Sequence, residues 1–302
     1  MRIYWVGLFK GDYLQSLHDE LEARGVEVIW AHSLFLHKNI PRGVPIHMHW
    51  LEAYGTSAHM THLVKEALAY YARRNPLLWT VHNLQPHDLP ILDGRAFYRL
   101  MIPYFDYGIH LGPQSIAAVR SIYPVPSHQI QRVCRHHILP HVIHPQGLPP
   151  WQKQSGVWIS LGRIRSTSDK LKLGMYVNQM RQGRKSLYVH RYPHIIQRKI
   201  FSRPFPKVSL LWQEAKWRWF DSQVHLNFGT LSVEELSAWL NGAERLLLPR
   251  TRHLNSGVVF LAAPFGIPIQ VPSTGNIPWQ LNQLGYTCDN GELYRPREAV
   301  DW

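Results

Sequence analysis

Short apolar runs alternate along this chain with segments whose apolar residues recur every three or four positions. Residues 2–9 read as a first strand, with Ile3, Trp5 and Val6 ahead of Gly7. Asp12 is of N-cap type. Leu14, Leu17 and Leu21 then fall on one side of a helix that Gly25 is placed to end. Residues 26–31, 46–50, 77–82 and 107–111 follow as strands, separated by helical patterns near 57–73 and 112–121. Strand alternating with helix predicts a parallel sheet covered on both faces.

Residues 139–151 hold Pro140, Pro145, Pro149 and Pro150 with Gly147, a linker composition. Beyond them the alternation restarts. The pattern gives strand 157–161, helix 171–181, strands 186–190 and 224–228, helix 233–240, strand 245–249, helix 258–263 and strand 267–271. The expectation is an α/β protein of two doubly wound Rossmann-like domains, residues 1–150 and 151–302. No solenoid period and no low-complexity segment interrupts it. In such sheets ligands sit outside the carboxyl ends of the strands, so candidate chemistry belongs just after each strand.

Composition narrows the class. Hydrophobic residues are 45%, aromatic residues 12% and charged residues only 18%, which suits packed cores and argues against disorder. The longest weakly polar stretch, 258–271, is broken by Pro264, Gly266 and Pro268 and is too short to span a bilayer. No small-residue cleavage site follows the brief apolar run at the start, so no signal peptide is read. Two cysteines, Cys134 and Cys288, are too few for a disulfide framework or a cysteine-built zinc site, and they suit a reducing compartment. The 33 basic against 20 acidic residues leave a net charge of +13. Such a chain attracts phosphate-bearing partners: nucleic acid, anionic lipid or nucleotide substrates.

Five stretches carry candidate chemistry. Gly7 and Gly11 flank the turn after the first strand, where a glycine lets a backbone approach a ligand; the turn has neither a full dinucleotide fingerprint nor a P-loop ending. In residues 79–88 an apolar strand runs into His82, Asn83, His87 and Asp88. There His82 and Asn83 suit hydrogen bonds to sugar hydroxyls or phosphate, and Asp88 suits a base or an acceptor contact, or else these residues cap a helix. His47 and His49 share one face of a strand, as metal ligands would, but no third ligand is identifiable; a structural or substrate-lining role fits them better. The His136, His137, His141, His144 cluster also lacks zinc spacing. Arg163 and Lys170 follow a strand that ends at Gly162 and are suited to clamp a diphosphate. Asn255, Ser256 and Gly257 open an apolar helix after a strand, where free N–H groups and the helix dipole attract an anion, or where Asn255 or Ser256 caps the helix.

Together these segments resemble the GT-B glycosyltransferases, particularly the retaining branch and the related exopolysaccharide enzymes, over nearly the whole chain. The most specific part runs from Leu231-Ser232-Val233-Glu234-Glu235-Leu236 through Leu248-Pro249-Arg250, Asn255-Ser256-Gly257 and Phe265-Gly266-Ile267-Pro268-Ile269 to Ser273-Thr274-Gly275. The resemblance implies two domains facing across a cleft, an N-terminal acceptor side and a C-terminal half that binds a UDP- or GDP-sugar. It implies that Arg163, Lys170 and the amides of Asn255, Ser256 and Gly257, with Gly7, hold the donor diphosphate. It also implies that His82 touches the transferred sugar, with Asn83, His87 and His49 lining donor or acceptor sugar. The acceptor it implies is a glycan or lipid-linked glycan in surface polysaccharide assembly. No metal and no cofactor beyond the sugar nucleotide is implied. The expected place is the cytoplasm, with peripheral contact at the cytoplasmic membrane face.

One departure stands out. The retaining family carries two glutamates separated by seven residues, and here their places fall on Leu254 and Ala262. The second acid normally holds the nucleotide ribose. Inversion would instead need a carboxylate base in the N-terminal half, for which Asp88 and Glu52 are the candidates. The crossover helix common at the end of this fold is expected to be reduced or missing. Two rivals remain. The lost acids suggest a non-catalytic sugar-nucleotide binder. Lys216-Trp217-Arg218-Trp219 and the charge suggest a nucleic-acid-binding protein, although no recognisable nucleic-acid module is present.

Overall fold

The computed structural model describes residues 1–6, 12–31, 40–51, 57–84, 94–135, 156–161, 167–183, 185–190, 223–227, 231–251 and 254–297. The chain divides into two compact units. The first is Met1–Leu139 with His253–Ser256 and Gly275–Gln280; the second is Pro140–Arg252, Gly257–Thr274 and Leu281–Trp302. The proline-rich segment 139–151, and with it the boundary expected at 150, lies outside the described residues.

The first unit is built from β1 (Arg2–Val6), α1 (Asp12–Ala23), β2 (Glu27–Ala31), β3 (Ile46–Met48), α2 (Ala58–Tyr71), β4 (Leu77–Val81), α3 (Gly94–Met101), β5 (Tyr107–His110), α4 (Gln114–Ile122) and β6 (Ile130–Val133). Its six strands run in the order β2-β1-β3-β4-β5-β6, all parallel. The order reverses between β1 and β3, which makes their carboxyl ends the topological switch point. Period-2 alternation sorts the strands onto two faces. Val6, Met48, Trp79 and Val81 pack with Val64 and Leu68 of α2 and Phe97, Tyr98 and Met101 of α3. Ile3, Trp5 and Val28 pack on the other side with Leu14 of α1, joined by the partly buried Leu17 and Leu21. Gly25, at φ 74°, takes the left-handed turn that stops α1, as expected from its position.

The second unit contains β7 (Val157–Ser160), α5 (Thr167–Gln182), β8 (Ser186–His190), β9 (Val224–Asn227), α6 (Val233–Gly242), β10 (Arg245–Leu247), α7 (Gly257–Ala262) and β11 (Ile269–Gln270). After α8 (Ile277–Gln283) it ends with β12 (Tyr286–Cys288) and β13 (Leu293–Pro296). The strand order is β12-β13-β11-β10-β7-β8-β9. Strands β7 to β11 are parallel, and β13 runs antiparallel to both β11 and β12. Here the switch point lies between β7 and β10. Leu173, Tyr176, Val177 and Met180 of α5, at helical spacing, cover Trp158, Leu187, Val189, Val224 and Leu247. The Ser232-to-Glu235 stretch is a complete capping box. Ser232 Oγ accepts from the Glu235 N–H at 3.2 Å, and the Glu235 carboxylate accepts from the Ser232 N–H at 2.7 Å.

The alternating pattern thus gives the two doubly wound sheets it predicted. It passes over α3, β6, α8 and the β12–β13 hairpin. The first three are short, and α3 is held by burying Phe97, Tyr98 and Met101 rather than by a long periodic pattern. The hairpin had a signal: Asn290-Gly291 sits at its turn, with Gly291 at φ 79° and the Asp289 N–H donating to Leu293 O at 2.8 Å.

Candidate functional site

At the carboxyl edge of the first sheet, the strand register brings Trp5 opposite His47 on neighbouring strands. His47 and His49 leave β3 on one face, as their spacing predicts, and their rings lie 4.1 Å apart between centroids. His47 Nε2 meets Thr80 Oγ1 of β4 at 2.7 Å. His49 Nδ1 meets His82 Nε2, just past the end of β4, at 3.2 Å. Trp50 stacks on His82 with centroids 4.3 Å apart and planes 14° apart, and Tyr13 of α1 meets His82 edge-on at 5.5 Å. Trp50 holds φ at 45°, a left-handed backbone that costs a non-glycine residue roughly 1–2 kcal/mol. Such strain collects at functional sites, where surrounding contacts hold it in place.

Burial controls the charge of this cluster. It pushes His47 down to about 3, so its ring is neutral at neutral pH. Burial, and after it the neighbouring rings of His47 and His82, lower His49 well below the ordinary histidine value. Burial also raises the Tyr13 hydroxyl. The His49–His82 contact therefore shares a single proton between two nitrogens, and whichever ring donates fixes the other's tautomer. Among the described residues His49 Nε2 and Trp5 Nε1 are buried without a hydrogen-bond partner. Among the described residues no group of three His, Cys, Asp or Glu side chains is arranged to hold a metal ion.

Asn255 and Ser256 belong to this same unit. Asn255 Nδ2 donates to the carbonyls of Val81 at 3.3 Å and His82 at 3.0 Å. The Ser256 N–H donates to Gln280 Oε1 at 3.4 Å, while Ser256 Oγ is buried with no partner among the described residues. The Ser256 side chain is buried and Asn255 is half-buried. Leu254, at the place of the first family glutamate, is buried in the core with Trp79 and Val81.

In the second unit the switch point puts the ends of β7 and β10 beside the start of α5. The buried Asp169, in the first turn of α5, accepts from the Thr251 N–H at 3.0 Å and from Thr251 Oγ1 at 3.1 Å. Thr251 Oγ1 also reaches Ser168 Oγ at 2.8 Å. This ties the loop after β10 to the amino end of α5, where Lys170 is half-buried. Gly257, the first residue of α7, is exposed, with open space where a Cβ would stand. Ala262, at the place of the second family glutamate, is fully buried, so no carboxylate is offered there.

The structure gathers His49 and His82 into one cluster, with Asn83 next along the chain. It places Lys170 and Gly257 at the carboxyl edge of the second sheet. Gly7, Glu52, His87, Asp88, Gly162 and Arg163 lie outside the described residues, as do the His136, His137, His141, His144 cluster and Lys216 to Trp219. Sequence reasoning missed Tyr13, Trp50, Thr80, Asp169 and Thr251. Only Asp169, an acid one residue before Lys170 in a first helical turn, carried a local signal.

No protein-family model matches the chain, and no curated protein sequence matches it. Solved structures do. Sucrose-phosphate synthase from Thermosynechococcus elongatus matches with a TM-score of 0.62 at 14% identity, over 91% of this chain and 82% of that one. An alpha-glucosyltransferase in complex with UDP and a 13-mer DNA containing a HMU base matches with a TM-score of 0.60 at 10% identity, over 89% and 79%. A protein assigned as a UDP-N-acetylglucosamine 2-epimerase from Listeria monocytogenes matches with a TM-score of 0.54 at 10% identity, over 93% and 82%. At these identities the likeness establishes the fold: the two-sheet, Rossmann-like GT-B architecture.

Proposed function

We propose that this protein is a glycosyltransferase that moves a sugar from a UDP- or GDP-sugar to a glycan or lipid-linked glycan acceptor. The observation that carries the reading is the fold shared along nine-tenths of the chain with sucrose-phosphate synthase, supported by a UDP-bound glucosyltransferase among the other likenesses. Surface polysaccharide assembly at the cytoplasmic membrane face is its setting. In this reading contact with a lipid-linked acceptor is peripheral; among the described residues no helix is long and apolar enough to cross a membrane.

The central chemical demand is to stabilise the departing nucleoside diphosphate. Lys170 and Arg163 supply positive charge, and the N–H groups of Gly7 and of Gly257, an exposed residue that opens α7, add donors. His82 touches the transferred sugar, and Asn83 and His87 are further sugar contacts in this reading. His49, buried with Nδ1 against His82 Nε2, holds that ring in place. No bound metal is required. If the reaction inverts, Asp88 or Glu52 is the base. The apolar residues at 254 and 262 leave the ribose to be held by other groups, which makes donor preference a property of this chain's own loops.

The test is a thermal-shift panel of nucleotide sugars with UDP and GDP as controls, followed by transfer assays with the ligand that binds. Ligand at a hundred times its dissociation constant stabilises by about 2.7 kcal/mol. The expected result is a shift with one base, lost in Arg163→Ala or Lys170→Ala, and sugar transfer to an added glycan. No shift with any nucleotide would end the reading. A second reading, an epimerase, rests on the Listeria likeness. It predicts a changed nucleotide sugar with no acceptor present, whereas a shift with neither product is the signature of a non-catalytic binder.

A further inference from the structure

At the carboxyl ends of β4 and β5 the main chain leaves the sheet ladder, and its buried carbonyls need donors. Two side-chain amides of the first unit supply them, and a third braces the first. Asn255 Nδ2 donates to Val81 O and His82 O. Gln280 Nε2 donates to Leu111 O at 3.1 Å and to Asn255 Oδ1 at 3.2 Å. Asn276 Nδ2 donates to the same Asn255 Oδ1 at 2.8 Å, and Asn276 Oδ1 accepts from the Ser115 N–H at 3.3 Å. The Asn255 amide thus gives two hydrogen bonds and receives two, its full capacity. Asn276 and Gln280 are fully buried. Gly112 is what lets the chain pass: a Cβ there would lie 2.3 Å from Asn276 Cγ. One step further along, the Tyr123 hydroxyl donates to Leu84 O.

We infer that Asn255, backed by Asn276 and Gln280, is a positioning residue for His82. The amide holds the peptide at residues 81–82, and so fixes where the imidazole stands against Trp50 and His49. Buried polar networks that are fully satisfied hold one geometry rigidly, whereas an apolar replacement would leave the strand-end carbonyls without donors. Only an amide can do both parts at once. A carboxylate at 255 would still accept from Asn276 and Gln280 but would turn an oxygen against two carbonyl oxygens. The catalytic consequence rests on the reading of His82 as the group that touches the transferred sugar; the structural consequence does not. The side chain of Asn255, with both amide hydrogens and the amide oxygen committed, acts through His82.

The test uses the full chain and the near-isosteric variants Asn255→Asp and Gln280→Glu. Hydrogen exchange followed by mass spectrometry reads the segment at residues 81–84, where the His82 N–H donates to Thr80 O at 3.1 Å. Exchange there is expected to quicken about tenfold in Asn255→Asp, while β8 and β9 keep their protection. In the transfer assay kcat is expected to fall about tenfold with the donor KM within about twofold, because positioning is lost and donor contacts are kept. Unchanged exchange at 81–84 overturns the clamp. Faster exchange with an unchanged kcat overturns its link to His82. Should Asn255→Asp give no cooperative melt, Gln280→Glu carries the same two measurements, since it removes a donor to Asn255 Oδ1 and leaves Asn255 itself unaltered. If the unaltered protein transfers no sugar from any nucleotide, the proposed function fails, while the exchange measurement still decides the clamp.

Discussion

His47 shows how a single buried side chain links this fold to pH. Its ring is neutral in the folded protein because burial pushes its pKa down to about 3, whereas in the unfolded chain it titrates near 6.5. Above about pH 6.5 neither state carries the proton, and stability is at its full value. As pH falls from there towards 3, the unfolded chain gains a proton that the folded one refuses, and stability drops by about 1.4 kcal/mol per unit. His49, lowered by burial and by its neighbours, acts in the same direction. Urea unfolding at pH 7.5 and pH 5 should show a loss, and in His47→Gln that loss should shrink by about 2 kcal/mol. An equal loss in both proteins would remove His47 as its source.

At the scale of elements, the loop after β10 is held by the amino end of α5. The buried Asp169 receives both the main-chain N–H and the hydroxyl of Thr251. An acid in a first helical turn is favoured by the helix dipole, so one residue serves the helix and the loop. Removing it strands the Thr251 N–H, at a cost of about 1–3 kcal/mol. Asp169→Ala should therefore lower the unfolding free energy by that amount and weaken nucleotide binding several-fold, as read by calorimetry. Asp169→Asn, which keeps an acceptor, should recover most of both. Equal nucleotide affinity in wild type and Asp169→Ala would show that the loop does not shape the donor site.

For the whole molecule, the net charge of +13 favours ligands that carry phosphate. Raising salt from 50 to 500 mM shortens the Debye length from about 14 to about 4 Å, so UDP should bind several-fold more weakly while uridine is unaffected. A flat salt response for UDP would mean that its phosphates are not held by cations. A steep logarithmic salt slope for single-stranded DNA, with no nucleotide binding, would favour the nucleic-acid rival instead.

Local rules made much of the molecule readable. The 2.0 and 3.6 periods located most strands and helices, Gly25 ended α1, and His47 with His49 fell on one strand face because alternation leaves no other choice. The helix opened by Gly257 stands where an apolar run after a strand placed it. Other features depend on residues far apart in sequence. The stack of Trp50 on His82, the Thr80 contact of His47 and the Asp169–Thr251 tie join residues 32 to 82 positions apart, and no local pattern marks such pairs. Asn255 makes the same point. Its place before a helix predicted a cap or a main-chain anion site, and nothing in that place foretold that its side-chain amide would reach carbonyls 173 and 174 positions away. A sequence fixes which groups a side chain carries and how often it faces inward. Which partner those groups meet is decided when separate strands end side by side and their unpaired carbonyls must be satisfied.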